Sequence, residues 1–108
     1  MKHVKRRYLA LQFDSDSLPN QREFMDSVWG AISRLYGEYG ASLANLVPVS
    51  YDEAKKIAII RVNLAALGMT RASVASITSI SNVPVAVHLL EISGTIRGLC
   101  RKLSIERN

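Results

Sequence analysis

The side chains with chemistry to offer in this chain are mostly cations and hydroxyls. Lys2, Lys5, Arg6 and Arg7 fall within the first seven residues with no acid among them, a local charge of +4. From residue 92 onward Arg97, Arg101, Lys102 and Arg107 stand against Glu106 alone, a local charge of +3. Residues 8–91 carry six bases against eight acids, −2, so the formal +5 of the chain sits at its two ends. The second cluster includes the string Ser93-Gly94-Thr95-Ile96-Arg97-Gly98. Hydroxyls, guanidinium groups and backbone N–H groups at a strand-to-helix turn suit phosphate oxygens. Thr95 serves equally well as an ordinary helix cap, and spacing alone leaves both readings open. Two basic ends that meet in space make one polyanion-binding patch. Two that stay apart are solvated arms.

A catalytic constellation is harder to assemble. His3 and His88 lie far apart and lack neighbours at ligand spacing, so His88 is expected as a packed or interface histidine. Asp14 and Asp16 fall in the turn-rich segment Asp14-Ser15-Asp16-Ser17-Leu18-Pro19. Loop carboxylates of this kind are turn formers before they are metal ligands. Cys100 lies between Arg97 and Arg101 without a positioned histidine, and reads as a small core residue. One cysteine excludes an internal disulfide framework and suits a reducing compartment. No catalytic residue, metal or cofactor is expected on this chain.

The 108 residues, 48% hydrophobic and 21% charged, are the makings of a single globular domain over residues 1–108. The uncharged stretch Ala72–Leu90 is broken by serines, Asn82 and Pro84, too polar for a membrane span. The apolar run Tyr8–Phe13 is too short for a signal peptide, so the chain is expected to stay in the cytoplasm. Arg7–Phe13 alternates as a strand, with Leu9, Leu11 and Phe13 on one face. Asn20 with Glu23 three residues on resembles a capping box. Phe24, Val28, Ile32 and Leu35 follow at helical spacing, with Trp29 and Tyr36 on the flank, and Gly37 and Gly40 are expected to end that helix. Leu46–Tyr51 and Ile57–Val62 read as a hairpin. Residues 63–69 form a connection of no evident type. Thr70 is the expected N-cap of a second helix carrying Val74, Ile77 and Ile80. Val83–Ile92 reads as a long strand, and Ile96–Ile105 as a short amphipathic helix with Ile96, Leu99 and Leu103 inward.

The order β-α-β-β-α-β-α is α+β. Its first six elements are the split βαβ, ferredoxin-like or RRM-like pattern: a two-layer α/β sandwich with antiparallel sheet order 4-1-3-2 and an additional short C-terminal helix. Pro48 and Pro84 then fall on the two edge strands, where a missing donor is tolerated. In this topology the first strand starts where the third and fourth finish. Lys5, Arg6, Arg7, Arg61, Ser93, Gly94, Thr95, Arg97, Arg101 and Lys102 should therefore converge as a phosphate-binding patch. The last strand alternates Val85, Val87 and Leu89 with Ala86, His88 and Leu90, apolar on both faces and so in need of cover on both. A protein interface is expected there, at Val85, Val87, His88 and Leu89.

Lys5-Arg6-Arg7-Tyr8-Leu9, Ile59-Ile60-Arg61-Val62 and Ile92-Ser93-Gly94-Thr95-Ile96-Arg97 occur in an order and spacing that resemble the ribonuclease P protein component 2 family. The likeness spans about residues 4–103, and the Ser-Gly-Thr-Ile-Arg string is its most specific mark. The resemblance implies a small protein subunit of the archaeal or eukaryotic ribonucleoprotein that removes the 5′ leader of precursor tRNA. It further implies that the RNA subunit performs the hydrolysis with bound Mg²⁺, so this chain is non-catalytic and inactive alone. Partners implied are ribonuclease P RNA, a TIM-barrel protein subunit, precursor tRNA through the holoenzyme, and a second heterodimer in a heterotetramer. The compact archaeal form is the expected one, cytoplasmic there and nuclear or nucleolar in a eukaryote. The residues matching the family's motifs are Lys5, Arg6, Arg7, Arg61, Ser93, Thr95 and Arg97.

Other readings of the topology fare less well. A base-reading RNA module needs aromatics on its central strands, and the third strand has none. An acylphosphatase-type enzyme needs a glycine-rich phosphate loop after the first strand, where this chain has Asp14 and Asp16. A ligand-sensing or dimerising ferredoxin-like regulatory domain has no use for charge at both ends. The fold alone does not choose among these.

Overall fold

The computed structural model describes residues 4–107. Strand β1 (Arg6–Asp14) alternates as its sequence requires, with Leu9, Leu11 and Phe13 packed in the main core. Asn20 caps α1 (Gln21–Ala44). Its Oδ1 accepts from the Glu23 N–H at 2.8 Å, while the Glu23 carboxylate accepts from the Asn20 N–H at 3.0 Å, the reciprocal capping box read from the sequence. The second Glu23 oxygen accepts from Ser81 Oγ at 2.7 Å. Together these bonds, Asn20 first, hold the carboxyl below its ordinary range.

Gly37 and Gly40 do not stop this helix. Gly37, at φ 75° and ψ −177°, bends it, and the chain resumes helical turns to Ala44 before Asn45 closes it in the left-handed conformation. Gly40 serves contact instead of termination: a Cβ there would fall 2.5 Å from Tyr36 Cβ. The bend buries Ala41 and Ala44 and leaves Leu35, expected inward, 47% exposed.

Strands β2 (Val47–Asp52) and β3 (Ile57–Asn63) form the expected hairpin. A 3₁₀ turn (Leu64–Ala66) then runs directly into α2 (Leu67–Ala75). Thr70 is therefore inside this helix, not its cap, and its buried Oγ1 donates to Ala66 O at 2.9 Å. Ile80 lies beyond the helix, in a two-stranded ribbon of β4 (Ser79–Ile80) and β5 (Val83–Pro84). Ser81 and Asn82 turn that ribbon with φ 51° and 66°, the pair of positive angles that a tight hairpin turn needs. Pro84 thus belongs to the ribbon, and the sheet strand is β6 (Ala86–Ser93). Pro48 does lie on an edge strand. Helix α3 (Ile96–Arg107) completes the chain.

The four-stranded antiparallel sheet has the order β2-β3-β1-β6, the expected 4-1-3-2 read in reverse. Helices α1 and α2 cover one face. There Phe13 stacks on Tyr51 with ring centroids 5.2 Å apart, and Phe24 tilts against Phe13 at 5.3 Å. The Tyr51 hydroxyl donates to Pro19 O. Burial, then the charges of Glu53 and Glu23, push its pKa up to about 12. Helix α3 lies on the other face, where fully buried Leu99 packs with Ala10, Ile57 and Ile59. Ile96, expected inward, is 43% exposed. Among the described residues no helix is long and apolar enough to cross a membrane.

Candidate nucleic-acid interface

The entry of β1 and the exits of β3 and β6 lie at one end of the sheet. Tyr8 pairs with Arg61 on one side and with Ser93 on the other, so the three residues form a row across the strands. The N–H of Leu64 donates to Lys5 O at 2.8 Å and ties the start of β1 to the exit of β3. Arg7 reaches the loop after β6, where a Cβ on Gly94 would lie 3.6 Å from its Nη1. That same nitrogen donates to Arg6 O at 2.8 Å. The two ends of the chain thus meet, as the topology required.

Within the Ser-Gly-Thr string the hydroxyls work for the backbone. Ser93 Oγ accepts from the Thr95 N–H at 3.3 Å, and Thr95 Oγ1 accepts from the Gly98 N–H at 3.0 Å. Thr95 is accordingly the cap of α3, one of the two roles its spacing left open. Gly98 is what lets the turn close, because a Cβ there would fall 2.6 Å from Ser93 Oγ and 2.9 Å from Thr95 Oγ1. Lys102 Nζ donates to Ile92 O at 2.7 Å and fastens the helix to the end of β6. Arg97 and Arg101 are exposed, one helical turn apart.

Among the described residues none of these cations has a carboxylate within 4.0 Å. Among the described residues the ion pairs within 4.0 Å are Arg22–Asp26 and Lys56–Asp14, each at 3.9 Å, and neither is at this end. The bonds of Arg7 and Lys102 go to neutral carbonyls, which leave their charge uncompensated. Asp14, Asp16, Asp52 and Glu53 gather at the opposite end, where β1 finishes and the β2–β3 hairpin turns. The sheet therefore carries positive charge at one end and carboxylates at the other.

Base stacking on the sheet has no platform. Helix α3 occupies that face, and Tyr8 is half-buried against the cluster around Leu99. Two expectations are corrected. Val85 and Val87, 5% and 9% exposed, and half-buried Leu89 face the helical layer and belong to the core, leaving His88 exposed on the edge strand. Their alternation was sound, but the apolar face is already covered within the fold. Cys100 is exposed instead of buried, because it follows Leu99 by one position and turns about 100° away from the sheet. His3 lies outside the described residues.

One surface escaped the sequence. Trp29, Leu35, Tyr36 and Tyr39 of α1 are 51%, 47%, 41% and 81% exposed. Tyr and Trp are enriched among the residues that carry protein contacts. Trp29 and Tyr36, seven residues apart, were the available signal. Tyr39 lies past Gly37, where the sequence pattern ends the helix.

Fold and site together define a small ferredoxin-like α+β sandwich with one end suited to a polyanion. Comparison with known proteins narrows the class: the Rpp14/Pop5 family model matches residues 7–104, and the chain belongs to this family, that of ribonuclease P protein component 2. The ribonuclease P protein component 2 of Pyrococcus furiosus is 30% identical over 98 residues, covering 91% of this chain and 82% of the relative. That of Methanosarcina barkeri is 32% identical over 99 residues, covering 92% and 72%. A chain from the cryo-EM structure of yeast ribonuclease MRP superposes with a TM-score of 0.71 over 99% of this chain and 94% of that one. At 20% identity that likeness is one of fold.

Proposed function

We propose that this chain is the non-catalytic protein subunit of a ribonuclease P, assisting its RNA in the endonucleolytic removal of the 5′ leader from precursor tRNA. The observation that carries the reading is the cationic end. Lys5, Arg6, Arg7, Arg61, Arg97, Arg101 and Lys102 come from the start of β1, the exit of β3 and helix α3, with no carboxylate within 4.0 Å among the described residues. Such an array binds RNA phosphates and orients a structured RNA. Ser93, Gly94 and Thr95 shape the loop that Arg7 reaches and from which α3 presents Arg97. Hydrolysis belongs to Mg²⁺ held by the RNA subunit, and this chain's residues bind and orient. A TIM-barrel protein subunit docks on the exposed aromatic side chains of α1, Trp29, Tyr36 and Tyr39, with His88 on the β6 edge as a second contact. Assembly in pairs and residence in the cytoplasm follow from the same reading.

Salt dependence is the test. Binding of the full chain to its ribonuclease P RNA should weaken linearly on a log–log salt plot. Arg6→Ala with Arg97→Ala should reduce the slope by about 1.4–1.8, at roughly 0.7–0.9 for each phosphate no longer neutralised. An unchanged slope refutes the assigned patch. Reconstitution completes the test: precursor-tRNA cleavage by the RNA should rise when the chain is added, and the chain alone should cleave nothing.

A further inference from the structure

A hollow of about 350 Å³ opens in the helical layer, between α1 and the link from α2 to β4, with Ser27, Gly30, Arg34, Ser76, Thr78 and Ser79 in its walls. One cation and four hydroxyls thus line a common space.

Among the described residues no carboxylate lies within 4.0 Å of Arg34. Glu38, four residues on, lies past the bend at Gly37. Glu23, one turn before Ser27, spends its two carboxylate oxygens on the Asn20 N–H and on Ser81 Oγ. Arg34 Nη2 stands 3.5 Å from Ser76 Oγ, at the long limit of a hydrogen bond. That contact aims the guanidinium across the hollow and leaves its other donors unused. The Ser76 hydroxyl donates to Ser73 O at 2.6 Å. Among the described residues the hydroxyls of Ser27, Thr78 and Ser79 have no hydrogen-bond partner and can donate.

Gly30 is an independent sign of a ligand. It lies inside α1 with ordinary helical backbone, where glycine is a poorer helix former than alanine. Packing within the chain does not require it, because a Cβ there would meet nothing within 4 Å outside its own stretch of helix. A glycine in such a wall leaves the backbone open to the close approach of a bound group.

We propose that this hollow binds one phosphodiester of the RNA, with Arg34 pairing with its charge and Ser27, Thr78 and Ser79 donating to its oxygens. The inference rests on the RNA-subunit reading for the source of the phosphate. A phosphodiester carries one negative charge, which a single guanidinium balances and whose oxygens its fork of donors matches. Two residues along a helix turn about 200°, so Ser27 and Arg34 stand on the flank of α1 opposite Trp29 and Tyr36. RNA held here leaves those aromatic side chains to the protein partner. Arg34 lies ten residues before the end of α1 at Ala44, where Leu43 O is bonded to Asn63 at the exit of β3. At 1.5 Å per residue the hollow is roughly 15 Å along α1 from the cationic end. Phosphate contacts at two separated points fix the direction of an RNA as well as its position.

The full chain and its ribonuclease P RNA provide the test. Arg34→Gln removes the charge, whereas Gly30→Leu fills the hollow with a good helix former and removes none. Each should weaken binding several-fold and reduce the log–log salt slope by roughly 0.7–0.9, the share of one phosphate. Ethylation interference on the RNA should show the same phosphate losing its effect in both variants, while the phosphates held by Arg6 and Arg97 keep theirs. Circular dichroism melts identify a variant that fails to fold, and Ser27→Ala with Thr78→Ala then replaces it, with the same phosphate expected to lose its effect. A slope that falls with Arg34→Gln but not with Gly30→Leu marks the general pull of an exposed cation and overturns the proposal, as does an unchanged interference pattern. Inorganic phosphate, titrated at constant ionic strength and followed by NMR, separates the sources. Shifts of the Gly30, Thr78 and Ser79 amides without any change in RNA binding assign the hollow to free phosphate and overturn the RNA source. Variants that lose affinity only for the protein partner assign it to a carboxylate of that partner and overturn it equally. The Arg6/Arg97 slope needs no hollow, so its failure sinks the RNA reading, whereas an unchanged slope in the hollow variants alone sinks only this site.

Discussion

Leu99→Ala is the sharpest test of how the cationic end is held together. Leu99 is fully buried and is the deepest contact that α3 makes with the sheet, against Ala10, Ile57 and Ile59. The substitution removes three carbons, and at about 0.8 kcal/mol per buried CH₂ it costs about 2.4 kcal/mol. A residual cavity would add to this. Here, however, a groove of about 340 Å³ already borders the site, lined in part by Ile57, Ile59 and Leu103, so the helix can settle into the space. The total should stay near the lower end of the range of about 2–5 kcal/mol for such truncations. Urea denaturation followed by circular dichroism measures it. With a slope of about 1.5 kcal/mol per molar, the midpoint should fall by about 1.6 M. A change under about 1 kcal/mol with an unchanged slope would refute the view that Leu99 anchors α3. A shallower slope would show α3 already released, and RNA affinity should then drop through the loss of Arg97, Arg101 and Lys102 from the cluster.

Two other expectations follow from local geometry. Gly37 sits at φ 75° and ψ −177°, a region essentially closed to other residues, so Gly37→Ala should cost about 1–3 kcal/mol by thermal or urea denaturation. Tyr51 is raised in the folded state to about 12 against an ordinary 10, so the unfolded chain gives up this proton first as pH rises. Its contribution is fully present below pH 10 and is lost through the window from about 10 to 12, and Tyr51→Phe should flatten the alkaline loss of stability relative to the parent chain.

Much of the frame is legible in the sequence. The alternation of Leu9, Leu11 and Phe13, the Asn20–Glu23 pair and the β-branched run Ile57–Val62 each have one favourable structure, and together they dictate the strand order. That order in turn places Lys5–Arg7, Arg61 and Ser93–Arg97 at one end. What was misread turned on tertiary context. Gly37 and Gly40 look like a stop, but the contact of Gly40 with Tyr36 and the burial of Ala41 and Ala44 carry the helix past the bend. Thr70 has the chemistry of a cap, yet its hydroxyl finds Ala66 O once the 3₁₀ turn feeds straight into α2. Ile77–Ile92 has apolar residues spaced for almost any element, so only the positive φ angles of Ser81 and Asn82 separate the ribbon from the strand.

The meeting of β1 with β6 and the loop into α3 has a consequence for folding. Arg6 and Arg7 open β1 and Lys5 precedes it, but the partner strand β6 and helix α3 lie about eighty residues or more further along the chain. Contacts so distant in sequence form late. Until the segment from Ala86 onward has paired, the leading cations have neither the Ser-Gly-Thr turn nor Arg97 near them. The charged end of the sheet is therefore assembled late, once β6 has paired with β1 and α3 has packed on the sheet.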